Sequence, residues 1–266
     1  MLVLALGKAT KLLPLLPNDR KRYVFELILG ARTQTGDWTG AVVEKAPVAP
    51  GWERKLSEVV ASVVGPLEQI PPMHSAVKVD GRPLYQAARA GHEVARPPRT
   101  VRIETLAVIA CDEGRARLDV TCSAGTYVRT LCEEIGRRLG IPAHMGALLR
   151  VAAGPFELHD SVLPQDIVHD AAGCIIDPLK VLAHPRVELD DRGARRFAHG
   201  NDIRLRPETG AGGDASPSST VLVTHDCVLI GVAMLVRQDD ERRLAPIHVF
   251  TAPPQRQGST PEGENG

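Results

Sequence analysis

Aromatic side chains make up only 3% of the 266 residues, with four Phe, three Tyr and two Trp in all. Any platform for stacking on a planar ligand therefore has few residues to draw on, and each Tyr and Trp becomes a candidate. No run of about 18 apolar residues occurs, which excludes a helical membrane span. The apolar start, Met1 to Lys8, is too short and lacks the basic lead of a signal peptide. Cysteine is sparse too. Cys111, Cys122, Cys132, Cys174 and Cys227 are odd in number and widely spaced, with no Cys-x-x-Cys pair and no metal-ligand spacing. That pattern fits reduced thiols in a cytoplasmic protein, acting as small buried apolar groups. Net charge is absent as well, because 32 Lys and Arg balance 32 Asp and Glu.

An apolar content of 43% supports a sizeable core, and the length suits one large domain or a large domain plus a small one. The neutral total hides an asymmetry. Residues 1–150 hold 21 Lys and Arg against 15 Asp and Glu, while residues 151–266 hold 11 against 17. A basic front half is compatible with an anionic partner. Its excess gathers at Lys8–Arg32 and Lys78–Arg102.

Alternation predicts strands at Met1–Leu6, Arg22–Leu29, Val101–Ala110 and Leu118–Cys122, and Ala41–Lys45 is expected to pair with Arg22–Leu29 across a turn at Gly36 and Gly40. A short helix or turn is expected at Thr10–Leu16. Helical periods cover Trp52–Val64, Leu84–Ala90 and Tyr127–Leu139, the last closed by Gly140 and Pro142, with a further short helix near Pro164–His169. A break in composition at Ala183-His184-Pro185 predicts domains at 1–183 and 186–251. The second is expected to be small and β-rich, with strands at Val221–Thr224, Val228–Val236 and Ile247–Thr251 and a loop at 209–219. Residues 252–266 are expected to be disordered.

Four constellations bear on chemistry. Gly7-Lys8-Ala9-Thr10-Lys11 lacks the second glycine and the adjacent hydroxyl of a phosphate loop, which rejects nucleotide binding there. Arg20-Lys21-Arg22-Tyr23 is a solvated strand end or a phosphate-binding edge beside an aromatic platform. The 74–102 segment carries six Lys and Arg against two acids, together with Tyr85, and suits contact with a nucleic-acid backbone as well as it suits a basic surface flap. Asp37 is an obvious carboxylate, yet its Gly and Thr neighbours favour a turn in which it caps backbone N–H groups. In Cys122-Ser-Ala-Gly-Thr-Tyr-Val-Arg129-Thr-Leu131, a strand runs through a Gly turn into a helix. This sets Arg129 in the first helical turn, either to serve a carboxylate or phosphate or simply on the surface.

Read in order, these pieces resemble the TruB family of bacterial tRNA pseudouridine synthases. The matching elements are Gly7-x-Ala-Thr-Lys11, Lys21-Arg-Tyr23, Thr33-x-Thr-x-Asp37-x-x-Gly40, Gln69-Ile-Pro-Pro-Met-x-Ser-Ala-x-Lys78, Gly81-x-x-Leu-Tyr85, Arg89-x-Gly91, Cys122-Ser-x-Gly-Thr-Tyr-x-Arg129-Thr and Leu148-Leu-Arg150. The resemblance implies an α+β pseudouridine synthase fold, a mixed and largely antiparallel sheet with flanking helices, followed by a PUA-like RNA-binding domain. It implies an isomerase that converts the T-loop uridine of tRNA, conventional position 55, to pseudouridine with no cofactor and no metal. The expected partner is the tRNA T-arm, and the expected state a monomer. In the family an aspartate acts at the ribose C1′, and the uracil detaches, turns and rejoins through C5. Resemblance assigns Tyr23 to stacking on the flipped base, Arg129 to pairing with the catalytic carboxylate, and Leu149 to the uracil pocket. Lys21, Lys78, Tyr85 and Arg89 are expected to contact the RNA, the last three from a 74–102 arm. An enzyme that must take a base out of its stack needs both an aromatic and a basic clamp.

The chain departs from the family at one place. The family's aspartate lies in a Gly-His-x-Gly-x-Leu-Asp-Pro-x-Ala-x-Gly motif ending just before the position of Met1, so it is not among these residues. Three expectations follow: Met1 is an internal methionine of a longer protein, the chain as it stands is catalytically inert, and Arg129 is left without a carboxylate, lowering solubility. The alternative reading is a non-catalytic protein that binds or folds tRNA.

Overall fold

Phe25, Leu27 and Leu29 point to one side of β1 (Arg20–Leu29) and are buried, while the residues between them stay partly exposed. This period of two is what a strand with one covered face requires. The structure is a computed structural model and describes residues 1–75, 78–79, 81–89, 94–205, 218–238 and 241–250. These fall into two compact units, Met1–Val3 with Pro17–Asp170, and Leu4–Leu16 with the chain from Ala171.

In the first unit, β1 is followed by β2 (Ala31–Thr33), β3 (Val42–Lys45), α1 (Trp52–Val63), β4 (Gly65–Gln69), β5 (Lys78–Val79), β6 (Arg82–Pro83) and α2 (Leu84–Arg89). Then come β7 (Arg99–Asp112), β8 (Arg115–Ser123), α3 (Val128–Leu139), β9 (Ala143–Ala153), β10 (Phe156–Glu157) and α4 (Pro164–His169). Six strands form one antiparallel sheet in the order β10-β9-β1-β8-β7-β4. Leu56, Val59, Val60 and Val63 of α1 and Leu131, Cys132, Ile135 and Leu139 of α3 bury against Phe25, Leu27, Ile103, Leu118 and Val120 of the sheet. Both helices repeat apolar residues at three- and four-residue steps, as a stripe facing a core demands. Cys122 and Cys132 lie in that core, and all five cysteines are free thiols.

The second unit contains a 3-10 helix at Gly7–Leu15, α5 (Pro178–Val181), β11 (Arg186–Glu188), α6 (Asp191–Ala198), β12 (Ile203–Arg204), β13 (Ser219–His225), β14 (Val228–Gln238) and β15 (Glu241–Val249). Its five-stranded sheet runs β11-β13-β14-β15-β12, with β11 parallel to β13 and the other pairs antiparallel. Phe197 of α6 packs with Val221, Val223, Ala233 and Leu244 on one side. Leu12 of the 3-10 helix packs with Leu179, Leu182, Leu222 and Val232 in a separate cluster. The architecture is α+β with an additional β domain at the C-terminal end.

Several expectations are corrected. Met1–Leu6 belongs to no sheet. Val42–Lys45 pairs with Ala31–Thr33 rather than with Arg22–Leu29, whose neighbours are β8 and β9. Gly30 is the physical reason. At φ +92 it turns the chain out of β1, and a side chain there would press on Val48 and the Ala46 carbonyl. By packing alone the chain divides into compact units at 170/171, with Leu4–Leu16 in the second, a division separate from the expected domains at 1–183 and 186–251. Strand β9 and helix α6 were not anticipated from periodicity. The 209–219 loop and the 252–266 tail fall outside the described residues, apart from Ser218 and Ser219.

Candidate active site

The loop between β2 and β3 is built around Asp37. Thr33 Oγ1 donates to the Asp37 carbonyl at 2.6 Å, which closes the loop on itself. Asp37 Oδ1 accepts from Thr35 Oγ1 at 2.7 Å, from Thr39 Oγ1 at 2.6 Å and from the Thr39 N–H at 3.1 Å. The loop is fastened to β9 by Trp38 N–H donating to the Met145 carbonyl and Met145 N–H donating to the Gly36 carbonyl, both at 3.0 Å. Gly36 is needed twice over. Its φ is +74, and an added Cβ would lie 3.2 Å from Glu133 Oε1 and 3.4 Å from Arg129 Cβ.

Close to that glycine lies the first turn of α3, and Arg129 reaches from it to the loop. Its Nη1 donates to Asp37 Oδ2 and to the Thr35 carbonyl, each at 3.2 Å, and its Nη2 donates to the His74 carbonyl at 2.8 Å. The Arg129 and Asp37 side chains are 21% and 18% exposed. Among the described residues no acceptor is assigned to the Arg129 Nε–H or to the second Nη2–H. Burial pushes the Asp37 carboxyl up, but the Thr39 and Thr35 hydroxyls, the Thr39 amide and the Arg129 charge outweigh it and hold the carboxyl below its usual range. A carboxylate so surrounded is a weak base and a weak nucleophile. Glu133, one turn along α3, behaves oppositely. Burial lifts its carboxyl, and the attraction of Arg32 and Arg129 offsets only part of that rise.

Arg129, Glu133 and Arg137 line a cleft of about 1030 Å³ along α3, with Arg32, Gln69 and His74 among the facing walls. Tyr23 and Leu149 are not in those walls. Tyr23 sits on β1 between Val120 and Arg150 and packs against the core. Burial raises its phenol and Cys122 adds to the rise, while Arg150, a hydrogen-bonding neighbour, acts against it. Leu149 stands on β9 opposite Val24 and is exposed, and Lys21 lies on β1 opposite Cys122. Lys78 belongs to β5, and Tyr85 and Arg89 to α2, but their side chains fall outside what the structure describes. Among the described residues no group of three or more His, Cys, Asp or Glu could hold a metal ion, and no helix is long and apolar enough to cross a membrane.

The turn expected at Asp37 is present, and one expectation built on Arg129 is overturned. The guanidinium does not lack a carboxylate, because Asp37 supplies one. Thr35, Thr39, Gln69 and Glu133 were given no role in the sequence reading, although Thr35 and Gln69 stand within the motifs quoted there. The spacing Thr33-x-Thr35-x-Asp37-x-Thr39, hydroxyls at alternate positions around an acid, was the available signal for the first two.

Comparison with known proteins supplies the family. A model of the TruB family pseudouridylate synthase N-terminal domain matches residues 1–128, and one of the tRNA pseudouridylate synthase B C-terminal domain matches residues 129–174. The chain is 47% identical to tRNA pseudouridine synthase B of Bacillus licheniformis over 173 residues, covering 63% of this chain and spanning 56% of that relative's length. It is 42% identical to the protein of that name from Geobacillus kaustophilus over 220 residues, 77% of this chain and 76% of the relative. The Ralstonia pickettii protein is 41% identical over 215 residues, 77% and 67% of the two chains. Among solved structures, a chain of a Cbf5-Nop10-Gar1 complex aligns with TM-score 0.60 and 22% identity over 93% of this chain and 71% of that one, a likeness of fold. Family models that together span residues 1–174, and relatives 41–42% identical over 77% of the chain, mean that the chain belongs to the TruB family of pseudouridylate synthases.

Proposed function

We propose that this chain serves the isomerisation of uridine to pseudouridine in tRNA, at the T-loop uridine of conventional position 55. One observation carries the reading. Arg129 is fixed by three acceptors from two separate segments and lines the cleft. An arginine held in this way is pre-organised to orient a carboxylate or an RNA oxygen at a reacting ribose. The names of the relatives support a tRNA substrate. Tyr23 is assigned to stacking on the extruded base, Leu149 to the wall of the uracil pocket, and Lys21, Lys78, Tyr85 and Arg89 to the RNA. The T-arm is the partner, the chain acts as a monomer in the cytoplasm, and neither metal nor cofactor takes part. The domains assigned to these roles are 1–183 for catalysis and 186–251 for RNA contact.

Attack at C1′ needs a free carboxylate. Asp37 is committed to Thr35, Thr39 and Arg129, so it braces the arginine and does not act as the nucleophile. On this reading the 266 residues bind tRNA without isomerising it, and a test chain extended by design with the family's Leu-Asp-Pro motif does both. The experiment is release of tritium from C5-labelled uridine in a tRNA transcript, alongside filter binding of the same transcript. Binding without release is expected from this chain, and release from the extended one. Tritium release by the 266-residue chain would show that its own residues suffice. If the extended chain also binds without release, the alternative of a tRNA-binding or tRNA-folding protein takes its place.

A further inference from the structure

Gln69, the last residue of β4, is 2% exposed and is one of the few polar side chains in the interior. Its carboxamide meets both backbone groups of Tyr127. Nε2 donates to the Tyr127 carbonyl at 3.3 Å, and the Tyr127 N–H donates to Oε1 at 2.9 Å. Tyr127 is the residue from which α3 starts. Its carbonyl also receives the Leu131 N–H at 3.0 Å, the first turn of the helix, and Tyr127 offers no side-chain cap of its own. A helix start leaves N–H groups that must find partners elsewhere, and Gln69 provides one from 58 residues away. Five residues beyond Gln69, the His74 carbonyl accepts from Arg129. Residues 69–74 therefore hold the first turn of α3 at two points, its backbone at Tyr127 and its guanidinium at Arg129. The Asp37 loop holds the same guanidinium through Thr35 and Asp37.

We propose that Gln69 is a positioning residue for Arg129, a role that rests on Arg129 serving the RNA site. A primary carboxamide is the side chain that can donate and accept in one plane at this reach. Leucine does neither, and an ionised glutamate accepts only. By fixing the Tyr127 backbone, Gln69 sets where α3 begins and hence the direction in which the Arg129 side chain leaves it. Orienting a long, rotamer-rich arginine before RNA arrives removes a cost that binding would otherwise carry.

The test compares Gln69→Leu in the presence of Arg129 and in an Arg129→Ala background, measuring affinity for an unmodified tRNA transcript and the thermal midpoint. With Arg129 present, Gln69→Leu is expected to weaken affinity by about tenfold, the scale of one lost net hydrogen bond. In the Arg129→Ala background it is expected to have no further effect on affinity, while lowering the midpoint equally in both. The same loss of affinity in both backgrounds, or no loss in either, overturns the proposal. Where Gln69→Leu fails to fold, Gln69→Glu makes the same comparison, because it keeps the acceptor and loses the donor. Should Arg129→Ala alone leave tRNA affinity unchanged, the RNA reading of Arg129 fails by itself. Solvent exchange of the Arg129 guanidinium protons by NMR then decides the role of Gln69, with faster exchange in the variant supporting it and equal exchange overturning it.

Discussion

At the scale of the residue, the Arg129–Asp37 pair has a measurable stability. Asp37→Ala strips Arg129 of its carboxylate and Thr35 and Thr39 of their shared acceptor. Fully buried pairs cost roughly 3–5 kcal/mol to break in this way, and about a fifth of exposure at each end brings the expectation to about 2 kcal/mol, read by urea unfolding. The pH dependence has a definite sign. Asp37 has a carboxyl lowered from 3.8, so its contribution is present above that value and is lost as pH falls through the lowered one. Glu133 is raised from 4.5, so the fold disfavours its ionised form at neutral pH, and the penalty disappears as pH falls below 4.5. Glu133→Gln is therefore expected to raise the thermal midpoint at pH 7 and to leave it unchanged at pH 4 or below. A midpoint lowered at pH 7 would show that the attraction of Arg32 and Arg129 outweighs burial. The turn at Asp37 was legible in the sequence because Gly and Thr neighbours act locally. The ion pair was not, since its partners stand 92 residues apart and only the packing of α3 on the loop unites them.

At the scale of the element, alternation and helical period located β1, β7, β8, α1 and α3, because each of these covers one face. The same rule misread Met1–Leu6. Leu2, Leu4 and Leu6 are more than 70% exposed, and an alternating pattern makes a strand only where a neighbour completes its hydrogen bonds. Strand β9 went unseen for the opposite reason. Ala143, His144, Met145 and Gly146 are buried in succession, and the ladder to β1 shifts register twice, so no period of two survives. Gly30 governs how β1 gives way to β2. Gly30→Ala is expected to destabilise the protein by at least about 1 kcal/mol in urea unfolding, through a strained backbone and contact with Val48. An unaltered midpoint would mean that the turn relaxes freely.

At the scale of the whole molecule, the basic first half and the acidic second half were plain in the composition, and they bear on how RNA is held. The logarithm of the affinity for tRNA should fall linearly with the logarithm of salt concentration, and Lys21→Ala should reduce that slope by about 0.7–0.9 if Lys21 meets a phosphate. An unchanged slope would remove Lys21 from the interface. The discontinuous make-up of the second unit was not legible, because composition varies smoothly where packing does not. Leu12, from the front of the chain, completes a cluster with Leu179, Leu182, Leu222 and Val232. On a ribosome adding roughly 5–20 residues per second, that leucine emerges on the order of ten seconds or more before Val232 does. Until then the nascent Leu4–Leu16 stretch has no apolar neighbours of its own unit to cover it.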